Sequence, residues 1–150
     1  MNSYPFAKVA TRLVSDLHPR ARDIVMKRFG LQDRTPLTLE EIGRAHEITR
    51  ERVRQIVNDS MNVLRDKIWK EKAEPALFEL FGQVGKTIAS HGSLKRENLL
   101  VNTLAPQSEY SHVVFLLHLN QNLFKHRETD EVHAFWTTKA QLVKEAIDVL

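Results

Sequence analysis

The sequence contains no cysteine. That excludes disulfides and cysteine-based zinc sites and is compatible with a reducing compartment. Long apolar runs are also lacking: the longest, Val113 to Leu117, is far too short to span a bilayer. The N-terminal stretch MNSYPFAKVATRLVSDL never offers the about seven consecutive apolar residues of a signal sequence. The expected location is therefore the cytoplasm, with no membrane partner. Five glycines and five prolines are too few for a linker-rich or low-complexity chain. A Gly-rich phosphate loop, a G-x-S-x-G elbow and a cysteine nucleophile are all missing, so the expectation is a protein that is not an enzyme and needs no cofactor.

What is present is a chain of 150 residues, enough for one ordinary domain or two small ones. Its net charge of +3 says little until it is divided along the sequence. Residues 1–72 carry 15 Lys+Arg against 10 Asp+Glu, whereas residues 73–150 carry 7 against 9 and five of the seven histidines. A basic half followed by a slightly acidic one suggests two modules, residues 1–72 and 73–150, with any nucleic-acid footprint in the first. On charge alone, basic residues that merely solvate helix faces explain the asymmetry equally well.

Apolar spacing over Phe6, Val9, Ala10, Leu13, Val14 and Leu17 predicts a first helix, broken at His18-Pro19. A second carries Ala21, Ile24, Val25 and Phe29 and stops at Gly30. Thr38, with Glu41 three residues on, is a capping box that opens a third helix with Leu39, Ile42 and Ala45 on its inner face. Thr49 caps a fourth, which turns Val53, Ile56, Val57, Leu64 and Ile68 inward. Two helices joined so tightly fit the angled helix-turn-helix. On the outer face of the fourth helix Arg50, Glu51, Arg54, Gln55 and Asn58 share one surface that begins at its N-terminal turn. In helix-turn-helix proteins that turn enters the major groove, where Arg reads guanine, Gln adenine and Glu cytosine.

The run TLEEIGRAHEITRERVRQI, residues 38–56, resembles region four of the housekeeping-type sigma factors of bacterial RNA polymerase. RARDIVMKRFGL (residues 20–31) resembles the helix and turn that precede that motif, and the likeness continues to about Arg65 through VNDSMNVLR. The resemblance implies a sequence-specific double-stranded DNA-binding transcription factor that recognises a −35-type promoter element in the nucleoid. Arg50, Glu51 and Gln55 would read bases. Thr38, Thr49, Arg52, Arg54 and Asn58 would approach the DNA backbone or shape the docking surface. It also implies RNA polymerase as a partner through the flap of its β subunit. Nothing upstream resembles the regions that melt the −10 element, so the chain would assist, redirect or compete, act as part of a split sigma factor, or be a fragment. The alternative is a polymerase-binding adaptor or competitor that uses the same fold as protein surface.

In the second half, Lys70 to Pro75 reads as a linker, followed by a helix over Leu77 to Ala89, a helix over about Leu94 to Leu104 and a third from about Ser108 through HVVFLLHL. Leu123 to Arg127 and Val132 to Thr137 suit two short antiparallel strands around a polar turn, with a last helix over about Thr138 to Leu150. The fold class is thus mainly α: a helix-turn-helix domain followed by a small winged-helix-like α+β domain. This half resembles the helix-turn-helix module of the polymerase δ subunit. Its third helix has no Lys or Arg from Gln107 through Phe124, so it is poorly equipped for phosphate. Val113, Val114, Phe115, Leu116, Leu117 and Leu119 suit either a central core helix or a protein-binding face, the latter for polymerase or for self-association through 73–150. His118, His126 and His133, near Glu128, Asp130 and Glu131, match no standard metal-ligand spacing, and no metal is expected.

Overall fold

The computed structural model describes residues 5–33, 35–90, 92, 94–127 and 133–139. Helix α1 (Phe6–Val14) buries the expected stripe of Phe6, Val9, Ala10, Leu13 and Val14. Pro19 then opens α2 (Pro19–Phe29), where its missing N–H costs nothing. Gly30, at φ 66°, ends α2 in the left-handed conformation, and Leu31 N–H closes back on Met26 O at 2.9 Å. A side chain at Gly30 would also press within 2.7 Å of the Pro36 nitrogen, so both backbone and space demand glycine.

Helix α3 (Leu39–His46) and the 22-residue α4 (Arg50–Glu71) follow. Val53, Val57, Met61, Leu64 and Ile68 of α4 are buried, with Ile56 half-buried against the same core. Ala45, expected on the inner face of α3, is exposed; the turn of that face is taken by Gly43, which lies against the backbone that enters α4. Helix α5 (Pro75–Ala89) begins at Pro75 as expected. The linker ahead of it is held to α1 by Arg12, which grips Glu74 with both carboxylate oxygens at 2.9 and 3.1 Å.

The next element departs from expectation. Leu94–Arg96 is a strand, β1, and α6 starts only at Glu97 (Glu97–Leu104). Three residues are too few to show a strand period, and their extended form comes from distant partners. They pair antiparallel with β3 (Phe135–Thr137), which also pairs with β2 (Phe124–His126), giving the order β1-β3-β2. Between them lie a 3₁₀ turn (Gln107–Glu109) and α7 (Tyr110–His118). The sequence α5-β1-α6-α7-β2-β3 is the winged-helix order. The expected hairpin turn at 128–131 and nearly all of the expected last helix lie outside the described residues.

Helix α7 sits where a winged-helix protein carries its recognition helix, yet it is the centre of the molecule. Val113, Phe115, Leu116, Leu117 and Leu119 are fully buried, and Val114 is half-buried against the same core. The cover comes from the first half: α7 packs on α1 and α2, and Phe29 meets Phe115 edge-to-face at 5.2 Å. Of the two readings the sequence left open for this helix, the central core helix is the one found, and the protein-binding face falls away because that surface is already used within the chain. From α4, Arg65 donates to His118 O at 2.7 Å and Trp69 Nε1 to Leu119 O at 2.9 Å. These two side chains satisfy carbonyls at the C-terminal end of α7 that the helix itself leaves unpaired. Buried side chains form one cluster from Phe6 to Trp136, across the expected division at residue 72.

Candidate nucleic-acid interface

Two caps fix the helix-turn-helix. Thr38 Oγ1 accepts from Glu41 N–H at 3.1 Å while Glu41 Oε2 accepts from Thr38 N–H at 3.3 Å, the reciprocal pair foreseen from sequence. Thr49 Oγ1 accepts from Arg52 N–H at 3.0 Å and so opens α4. Each hydroxyl keeps its own hydrogen to donate. Between the caps the chain turns through Glu47, left-handed at φ 56°, and Ile48 N–H returns to Gly43 O at 2.9 Å.

Gly43 was not singled out by its sequence pattern, although the turn depends on it. A Cβ there would stand 2.7 Å from Ile48 O, a backbone atom that cannot swing aside. Gly43→Ala should therefore cost about 1–3 kcal/mol by overpacking, checked by urea denaturation. An unchanged midpoint would mean that the turn relaxes freely.

Arg50, Glu51, Arg52, Arg54, Gln55 and Asn58 are all exposed, on the first turns of α4. Glu51 and Arg54 form a two-bond pair at 2.6 and 2.9 Å, and Arg52 Nη1 reaches Gln55 Oε1 at 3.4 Å. The hydrogen bond from Arg54 is the main cause that holds the Glu51 carboxyl below its usual range. Glu51 is thus an acceptor only, suited to an amino group such as cytosine N4. As an exposed pair within one helix, Glu51–Arg54 adds little to stability, so both side chains are free to exchange it for other partners.

The base of this surface is firmly held. His46 Nε2, at the end of α3, lies 2.7 Å from Asp23 Oδ2 on α2, which also pairs with Lys27 at 2.9 Å. Burial would raise the Asp23 carboxyl, but hydrogen bonds from Lys27 and His46 outweigh it and hold the group below its usual value. Arg28 donates to Leu37 O at 3.0 Å, tying α2 to the segment that leads into α3.

Residues 13–66 match the family model described as sigma-70, region 4. Over this stretch, about a third of the chain, the protein is similar to sigma-70 region 4. Over 53 residues the chain is 51% identical to the RNA polymerase sigma-C factor of Nostoc sp.. It is 47% identical over 53 residues to the RNA polymerase sigma factor SigA1 of Synechococcus elongatus. It is 45% identical over 53 residues to the RNA polymerase sigma factor SigA of Microcystis aeruginosa. Each alignment covers 35% of this chain and 13% of the relative, so the chain spans a small part of the sigma factors it matches. The matched segment runs from the end of α1 into the last third of α4 and contains every residue expected to meet DNA.

The histidines weighed as ligands are not gathered into one cluster among the described residues. His118 is packed edge-on between Phe29 and Trp136, and His126 stacks on Phe135 at 4.9 Å. Glu128, Asp130 and Glu131 lie outside the described residues. Among the described residues no group of three acidic, histidine or cysteine side chains is arranged to hold a metal, and no helix is long and apolar enough to cross a membrane.

Proposed function

We propose that this chain binds double-stranded promoter DNA in a sequence-specific way, with α4 in the major groove at a −35-type element. Arg50, Glu51 and Gln55 read bases; Thr38, Thr49, Arg52, Arg54 and Asn58 hold the backbone or shape the docked surface. The observation that carries this reading is the first turns of α4: six polar side chains, all exposed, on a helix whose start is fixed by the Thr49 cap. The sigma-factor relatives support RNA polymerase as the platform; docking on the β flap and a regulatory role are parts of the same proposal.

The test is fluorescence anisotropy on a duplex with a consensus −35 element and on a scrambled one. The intact chain should prefer the first, and Gln55→Ala or Arg50→Ala should cost about 1–3 kcal/mol on it and relax that preference. Equal binding to both duplexes, unchanged in the variants, would sink base readout. It would favour the adaptor role, in which region four serves as protein surface for polymerase.

A further inference from the structure

A cavity of about 440 Å³ opens between region four and the C-terminal half. Arg28 of α2, Asn58 and Arg65 of α4, Lys125 of β2 and Arg127 just after it are among the residues that line it. Its charge is one-sided. Among the described residues that line it, Glu97 supplies the one carboxylate, and that group is already taken by Lys125 at 2.9 Å and Trp136 Nε1 at 3.0 Å. Arg65 and Arg28 spend donors on carbonyls, whereas Arg127 is exposed and pairs with no carboxylate among the described residues.

These cations also feel one another. Partial burial is the main cause that lowers the Arg28 guanidinium from its ordinary value, and the positive charges of Arg127 and Arg50 lower it further. A line of positive charge therefore runs from the first turn of α4, over Arg28, to the end of β2. An anion placed along it relieves the repulsion. The direction of that line identifies the anion. Asn58 belongs both to the cavity wall and to the exposed stripe with Arg50, Arg54 and Gln55, so a duplex seated on the stripe carries its backbone past the cavity mouth.

We propose that Arg127, with Arg28 of the same cleft, is a DNA-backbone contact supplied by the C-terminal half, which extends the footprint beyond region four without reading sequence. The proposal rests on the promoter-binding reading above. Three carboxylates follow Arg127 in the sequence (Glu128, Asp130 and Glu131), so it is the placement of this side chain in the cleft, not the net charge of the segment, that carries the argument. Phosphate contacts of this kind orient a protein on the duplex while bases are read elsewhere.

The experiment is a salt series on the intact chain with the two duplexes used above, comparing wild type, Arg127→Ala and Gln55→Ala. Arg127→Ala should weaken both duplexes by the same factor, about three- to tenfold at low salt, and flatten the slope of log K against log salt by about 0.9. Gln55→Ala should keep the slope and lose preference. A matching melting temperature confirms that the Arg127 variant is folded. Wild-type affinity and slope in Arg127→Ala overturn the backbone contact and leave base readout standing. Failure of the wild type to bind either duplex overturns the promoter reading, and this proposal with it. Inorganic pyrophosphate gives a third arm: if it raises the melting temperature only when Arg127 is present, while duplex affinity ignores the substitution, the cleft takes a free anion and the DNA assignment fails.

Discussion

Phe115→Ala should cost about 3–5 kcal/mol, the usual range for emptying a fully buried phenylalanine site. Phe115 is wholly buried on α7 and meets Phe29, at the end of α2, edge-to-face at 5.2 Å. A domain is stable by only about 5–15 kcal/mol, so the loss should bring the chain close to unfolding. More informative is where the loss is felt. The core is one cluster across residue 72, and α1, α2 and α4 all reach α7 or its last carbonyls. We therefore expect a single unfolding transition. Tryptophan fluorescence (Trp69 and Trp136) and far-UV circular dichroism should overlay, and hydrogen exchange at the amides of α3 should accelerate in the variant although the substituted residue is on α7. Two separate transitions, or α3 protection unaffected by Phe115→Ala, would show instead that the halves fold independently, as the charge asymmetry at residue 72 suggested.

Acid should destabilise the protein well before its carboxylates titrate. His118 is half-buried between Phe29 and Trp136, at the edge of the cavity lined by Asn58 and Arg65, with Nδ1 at 2.8 Å from Val114 O. Burial lowers its pKa from 6.5 to about 4; the bond to Val114 and the charge of Glu97 oppose that shift, and Lys125 and Arg65 reinforce it. The folded value is below the unfolded one, so the unfolded chain takes up the proton first. Stability is complete above about pH 6.5 and is lost as pH falls toward about 4, by roughly 3 kcal/mol at 1.36 kcal/mol per unit. Thermal melts across that window should show a steady fall in Tm. His118→Phe keeps a ring between Phe29 and Trp136 but cannot take a proton, and it should flatten the curve. A variant as acid-sensitive as the wild type would place the effect on other groups.

The parts legible in the sequence were those whose signals are local. The capping box at Thr38, the cap at Thr49, the stop at Gly30 and the start at Pro75 are each written within four residues, and all appear where they were read. The exposed stripe of α4 was legible for the same reason: helical period alone decides which side chains share a face. Leu94–Arg96 was not, because its strand form is imposed by pairing with Phe135–Thr137, some forty residues away. The fate of α7 was half legible. Its apolar girth showed that it had to be covered, but only the fold shows that α1 and α2 do so. Gly43 and Arg127 were missed because what matters about each is a neighbour in space: the carbonyl of Ile48 and the guanidinium of Arg28.

Helix α4 belongs to both halves at once. Its first turns present Arg50, Glu51 and Gln55, and its far end grips α7 through Arg65 and Trp69. At 1.5 Å per residue its 22 residues make a rod about 33 Å long, close to one turn of duplex DNA. No hinge separates its two ends. Whatever the C-terminal half touches is thus carried at a fixed bearing and angular phase relative to Arg50, Glu51 and Gln55, as by the two ends of one ruler.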